Sequence, residues 1–280
     1  MPQILALISA VLFGISDFTG GIATRRVSAW VVTAWSQFLG LPILILGLVI
    51  VASPEVTSHD LMWGAIGGVF GVVGLAIMYS TLAAGKMSVV APVIGTGAGF
   101  ISVMWAIATG ETITWINWIG IALAGFAVFL LTAQSHSSRS SGGGLDRRLL
   151  FQALVAAFGF AVFFIALGQT SEASGLWPLV AARSVTVPLA FGIVLVGATK
   201  LALVRDAWKL VLITAMFETT ANIAIVLAVQ RGPIGINAVL GSLYPVFTVA
   251  AAIIVLKERP TTRQLAGIAL AAVAIVGLAV

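Results

Sequence analysis

The chain has 280 residues, 60% hydrophobic and 8% charged, with a formal net charge of +5 and no cysteine. Mean hydropathy of +1.16 excludes a soluble domain, which would carry about 25% charged residues, so the bilayer is the expected solvent. The missing cysteines exclude a disulfide framework and a thiolate metal site. The positive charge, with no aromatic-basic stripe, reads as membrane topology and not as nucleic-acid binding.

A helix crossing a hydrocarbon core of roughly 30 Å needs about 20 apolar residues, and ten such spans are predicted. The first, 3–24, follows Met1, Pro2 and Gln3; it has no basic n-region or cleavage signature and is expected to stay in the mature protein. It carries Asp17. Span 29–51 holds Trp35 and Gln37, and span 61–84 holds Tyr79 and the glycines 64, 67, 68, 71 and 74. Their small-xxx-small spacing predicts close helix packing.

In span 88–109, Pro92 precedes Gly95, Gly97 and Gly99, a composition that predicts a bend or hinge near the midplane. Span 115–133 is followed by QSHSSRSSGGG at 134–144, a polar low-complexity stretch unable to bury anything. Spans 148–169, 176–198 (with Arg183), 208–229 (with Glu218 and Asn222), 233–256 (with Tyr244 and Pro245) and 263–280 complete the chain. A bend is also expected at Pro245. Trp63, Trp115, Trp118, Trp177 and Trp208 sit at span ends, as interface anchors do.

Sliding the sequence by 147 positions aligns 1–133 with 148–280 without a gap. Trp30 meets Trp177, Gly85 meets Gly232, Glu111 meets Glu258, and GIALA at 120–124 meets GIALA at 267–271. The expected domains are therefore a first repeat at 1–133, a linker at 134–147 and a second repeat at 148–280. Five spans per repeat is an odd number, so the second repeat enters the membrane upside down. The expected fold is an all-α membrane protein of ten transmembrane helices in two inverted five-helix repeats. Glu111 and Glu258, which close the fourth and ninth spans, then lie at opposite membrane faces and read as structural.

Of the fourteen Lys and Arg, twelve fall in loops after odd-numbered spans, among them Arg25, Lys86, Arg139, Lys200, Arg205, Lys257 and Arg259. Only Arg231 lies in the opposite loops. The positive-inside rule places the odd loops in the cytoplasm and both termini outside.

Asp17 and Glu218 are the only two of nine acidic residues inside apolar spans. Counted from Arg25 and from Lys209, both lie roughly 12–14 Å from the same membrane face. A charge at that depth costs about 2.5–3.5 kcal/mol even on the lenient insertion scale, so each carboxylate is a functional candidate. Arg183 is their expected partner, reaching inward on a long side chain. Gln37, Tyr79, Asn222 and Tyr244 are candidates for the same polar pocket, and Trp35 for its wall. Pro92, Gly95, Gly97 and Pro245 are hinge or cavity candidates.

Several stretches carry a resemblance to a known group: LFGISDFTGG at Leu12–Gly21, AAGKMSVVAPV at Ala83–Val93, GETITWINWIGIAL at Gly110–Leu123, and GSLYPVFTVAAAIIVLKERPTTRQLAGIAL at Gly241–Leu270. The chain resembles the EamA-type permeases of the drug/metabolite transporter superfamily over nearly its whole length. That resemblance implies a ten-helix secondary transporter in the cell membrane, exporting or exchanging a small metabolite such as an amino acid or an amphipathic compound. Transport would run by alternating access around a central cavity.

The expected partners are a small-molecule substrate and membrane lipid, with proton coupling through Glu218 and a monomer or homodimer as the assembly. The alternatives are a passive channel, which needs a continuous polar stripe, and a non-transporting membrane scaffold, for which the loops are short. No catalytic motif is present, and the two histidines, His59 and His136, sit in loops, so neither an enzyme nor a cofactor is expected.

Overall fold

The computed structural model describes residues 1–83, 87–132, 147–197, 201, 207–256 and 262–279. Among these there are helices and turns but no strand. The linker at 134–146, Glu258, and the basic residues Lys86, Arg139, Lys200, Arg205, Lys257 and Arg259 lie outside the described residues.

Helix α1 (Pro2–Ala23) opens on a proline, whose missing N–H is an orphan there in any case. Ser28 caps α2 (Ala29–Leu39), its hydroxyl accepting from Val31 N at 3.3 Å. The second expected span is not one helix: α2 ends at Gly40, and α3 (Leu41–Ile50) begins. Pro42 cannot donate to the carbonyl of residue 38 and crowds it, while a Cβ at Gly40 would collide with Thr219 Oγ1.

Helix α4 (Ser58–Ala83) starts on a reciprocal cap. Thr57 N and Oγ1 donate to Asp60 Oδ2 at 2.9 and 2.6 Å, and Asp60 N donates back to Thr57 Oγ1 at 3.3 Å. Asp60 Oδ1 also accepts from Ser171 N at 2.7 Å, which ties this helix start to the other half of the chain.

There follow α5 (Met87–Ala108), α6 (Trp115–Thr132), α7 (Arg147–Gly168), a 3-10 turn (Glu172–Ser174), α8 (Trp177–Val196) and α9 (Trp208–Arg231). The ninth expected span is again two helices, α10 (Ile234–Gly241) and α11 (Tyr244–Leu256), before α12 (Thr262–Ala279). The break at Ser242 and Leu243 precedes Pro245, which cannot bond to the carbonyl of Gly241. Pro92 falls inside a continuous α5, and its side chain lies outside the described residues.

Among the described residues, seven stretches are long and apolar enough to cross a membrane, and three shorter apolar helices, Val93–Ala108, Trp115–Leu130 and Leu265–Leu278, accompany them. The outer surface is apolar as well: Val49, Ile50, Val196 and Ile254 are 74–90% exposed. Such a surface suits acyl chains, and the protein is a multi-pass membrane protein.

Helices of the two halves interleave. α1 packs most extensively on α9 and α4 on α7, which are exchanged by the 147-residue shift; α2 meets its equivalent α8, and α6 meets its equivalent α12. Glycines set these distances. A Cβ at Gly68 would lie 2.8 Å from Ala182 Cα, and one at Gly74 would lie 3.1 Å from Ala156 O. The α4 glycines therefore do the packing their spacing predicts.

Glu111, just past α5, does more than close a helix. Its two carboxylate oxygens accept from Ile234 N at 2.7 Å and Gly235 N at 3.1 Å, capping α10 from the opposite half.

Candidate functional site

A buried cavity of about 60 Å³ lies where α1, α2, α4, α7, α8, α9 and α11 converge. One water needs roughly 10–15 Å³ of such space, so the cavity has room for about four to six waters.

Its polar groups form a connected chain. Glu218 on α9 is 4% exposed, and its Oε1 accepts from Gln37 Nε2 on α2 and lies 3.5 Å from Arg183 Nη1 on α8. Arg183 Nη2 donates to Thr219 Oγ1 at 3.2 Å, and Thr186 Oγ1 donates to Gln37 Oε1 at 3.2 Å. Three helices are thus joined through one carboxylate oxygen. Burying an ion pair is costly in itself, and removing one partner strands the other charge at a further cost of about 3–5 kcal/mol. The second oxygen, Glu218 Oε2, is buried without a partner.

Asp17 on α1 also faces the cavity and is 4% exposed. No ion pair or hydrogen bond to its carboxylate occurs among the described residues. Arg183, the partner expected for both acids, thus engages Glu218 alone. Asn222, one turn past Glu218, and Tyr244 complete the polar lining, and the Tyr244 hydroxyl is buried without a partner.

Two of the expected pocket residues, one polar and one for the wall, stand elsewhere. Trp35 is two residues from Gln37, and residues at that spacing point to different sides of a helix. Its Nε1 donates to Leu201 O at 2.9 Å, and its ring stacks edge-on against Phe38 and Phe191. Tyr79 continues the α4 stripe one turn beyond Leu75 but packs on Gly20, where a Cβ would meet its ring at 2.7 Å. Neither lines the cavity.

Among the hinge candidates, Gly95 rests against the α10–α11 break. A Cβ there would lie 2.9 Å from Ser242 O and 3.1 Å from the Pro245 ring, and one on Gly97 would lie 2.8 Å from Ala157 Cβ.

The apolar lining is what sequence reading misses, because Phe, Leu and Gly are unremarkable in so apolar a chain. The repeat holds the signal. Four pairs of lining residues are related by the 147-residue shift: Phe13 and Phe160, Asp17 and Phe164, Gly71 and Glu218, Leu75 and Asn222. In three of them one member is polar and the other is not. All three polar members sit on the packed pair α1 and α9, and their apolar equivalents on α4 and α7, so the cavity has a charged wall and a greasy wall.

The comparisons with known proteins agree with this architecture. A model of the EamA-like transporter family matches residues 1–133 and again residues 147–280. A solved structure described only as "Crystal structure of protein" has the same fold, with a TM-score of 0.77 at 18% identity over 99% of this chain and 94% of the other. No curated protein matches the sequence.

Proposed function

Because the chain belongs to the EamA-like transporter family, we propose that it is a secondary carrier that takes a small metabolite into the cavity between its halves and exports or exchanges it by alternating access. The single observation that carries this reading is the cluster of Asp17, Gln37, Arg183, Glu218 and Asn222, all buried, around one cavity within the apolar helices. Intramembrane charges facing a cavity are costly to maintain and mark solute pathways.

In this reading the ten apolar stretches are ten crossings, with repeats at 1–133 and 148–280 joined by the polar linker at 134–147. Five crossings per repeat invert the second copy. The reciprocal packing of α1 on α9 and of α4 on α7 supports a two-fold relation between the repeats, and the odd number of crossings puts its axis in the membrane plane. The odd loops face the cytoplasm of the cell membrane, both termini lie outside, and the assembly is a monomer or a homodimer. The family alone allows either an amino acid or an amphipathic compound as the solute. An unpaired Asp17 and a half-satisfied Glu218 are suited to carrying a proton in exchange.

A channel needs a continuous polar path, whereas one wall here is built from Phe160, Phe163, Phe164 and Leu75. Counterflow in vesicles separates the two readings: preloaded solute should accelerate uptake of labelled solute in a saturable way, and Glu218→Gln should abolish any response to a proton gradient. Flux that rises linearly with concentration and shows no counterflow would replace the carrier by a channel.

A further inference from the structure

We propose that the cavity takes an organic monocation, a protonated or quaternary amine on a compact apolar body, with Asp17 as its counter-charge. The inference rests on the carrier reading for its location only; its chemistry comes from the lining. Among the described lining residues there are two carboxylates and one guanidinium, and the charge of that guanidinium is paired with Glu218, 3.5 Å away, while its Nη2 donates to Thr219. Asp17 is left with no ion pair and no hydrogen bond among the described residues, although it is 4% exposed. Glu218 Oε2 and the Tyr244 hydroxyl are buried beside it without partners.

Unmet acceptors of negative sign call for a ligand that donates hydrogen bonds or carries positive charge. Among the described residues an anion finds no cation whose charge is not already paired, since the carboxylate of such a ligand would have to share Arg183 with Glu218. A zwitterion meets the same obstacle at one of its two charges.

The other wall sets the body of the ligand. Phe160, Phe163, Phe164 and Leu75 present rings and methyl groups beside Gly71, and none of these side chains carries a polar atom, so an aromatic or branched hydrocarbon fits there and a sugar or polyamine does not. A cavity that holds about four to six waters corresponds to roughly 120–180 Å³ of liquid, the bulk of one ring with a short amine arm.

Three probes of equal ring and different charge test this: phenylethylamine, phenylalanine and phenylacetate. Each is titrated calorimetrically into the full chain in nanodiscs of zwitterionic lipid and followed in vesicle counterflow. Phenylethylamine should bind at least tenfold tighter than phenylalanine, and phenylacetate should neither bind nor compete. Asp17→Asn should weaken phenylethylamine at least tenfold, while Asp17→Glu keeps it within a few fold. Phe163→Ala should weaken phenylethylamine but leave ethylamine unchanged. If Asp17→Asn does not fold, the order of the three probes on the wild-type chain decides.

Preferential binding of phenylacetate or phenylalanine, no binding of phenylethylamine, or an Asp17→Asn variant within twofold of wild type each overturns the cation site. Saturable counterflow of phenylalanine without phenylethylamine binding leaves the carrier standing and removes this inference. Selective phenylethylamine binding with no counterflow of any solute does the reverse.

Discussion

The wall made by α1 and α9 and the wall made by α4 and α7 occupy equivalent places in the two halves, yet they hold opposite chemistry. On the first, Asp17, Glu218 and Asn222 face the cavity; on the second, the equivalent positions are Phe164, Gly71 and Leu75. The family model matches both halves, and three side chains per copy are enough to make one wall charged and the other apolar.

Breaking the charged wall should have the largest effect. Arg183→Ala or Glu218→Ala strands a buried charge and should destabilise the fold by about 3–5 kcal/mol, read as an earlier midpoint in detergent-titration unfolding, with loss of counterflow. The pair replaced together by Arg183→Met and Glu218→Leu should regain most of that stability and none of the transport, which separates the structural from the functional use of the pair.

On the apolar wall the stake is packing. Gly68→Ala pushes a methyl to 2.8 Å from the Ala182 backbone and should cost about 1–3 kcal/mol by overpacking, in the same assay. Leu75→Asn gives this wall the side chain its equivalent carries. It should also cost about 1–3 kcal/mol, because a buried leucine packed in one apolar cluster with Met78, Ile94 and Val211 gives way to an amide, whereas the reverse change, Asn222→Leu, should stay within about 1.5 kcal/mol. Equal costs for the two swaps would mean that the walls are not chemically distinct. The smallest effect belongs outside both walls. Gly192 has nothing within 4 Å of a would-be Cβ, so Gly192→Ala should stabilise by up to about 1 kcal/mol through helix propensity.

Hydropathy makes the helices legible in the sequence because a spanning segment has to be apolar over its whole length. The expected 61–84 and 208–229 stand beside the observed Ser58–Ala83 and Trp208–Arg231. What hydropathy cannot see is continuity. The stretches 29–51 and 233–256 are each two helices, and their breaks depend on where Pro42 and Pro245 fall relative to Gly40 and Ser242, while Pro92 sits in a helix that runs on. The charged residues of the site were legible for the same reason as the helices, since Asp17, Arg183 and Glu218 violate an apolar run. Trp35 was misplaced because residue type says nothing about helix face, and only the position of Gln37 shows which way α2 turns. The greasy wall was hidden by its own composition and emerges only when the repeat is laid over the cavity.

The Glu111 carboxylate bound to Ile234 N and Gly235 N has a mechanical consequence. Hydrogen bonds to a charged group are worth about 1.5–3 kcal/mol each, and two of them clasp the end of α5 to the start of α10 across the two halves. A tilt of one half against the other therefore meets a stiff fastening at this end of the bundle and a looser one wherever no such clasp exists. Any rotation of the halves that kept Glu111 seated would have its largest displacement at the far end, with this carboxylate as its fulcrum.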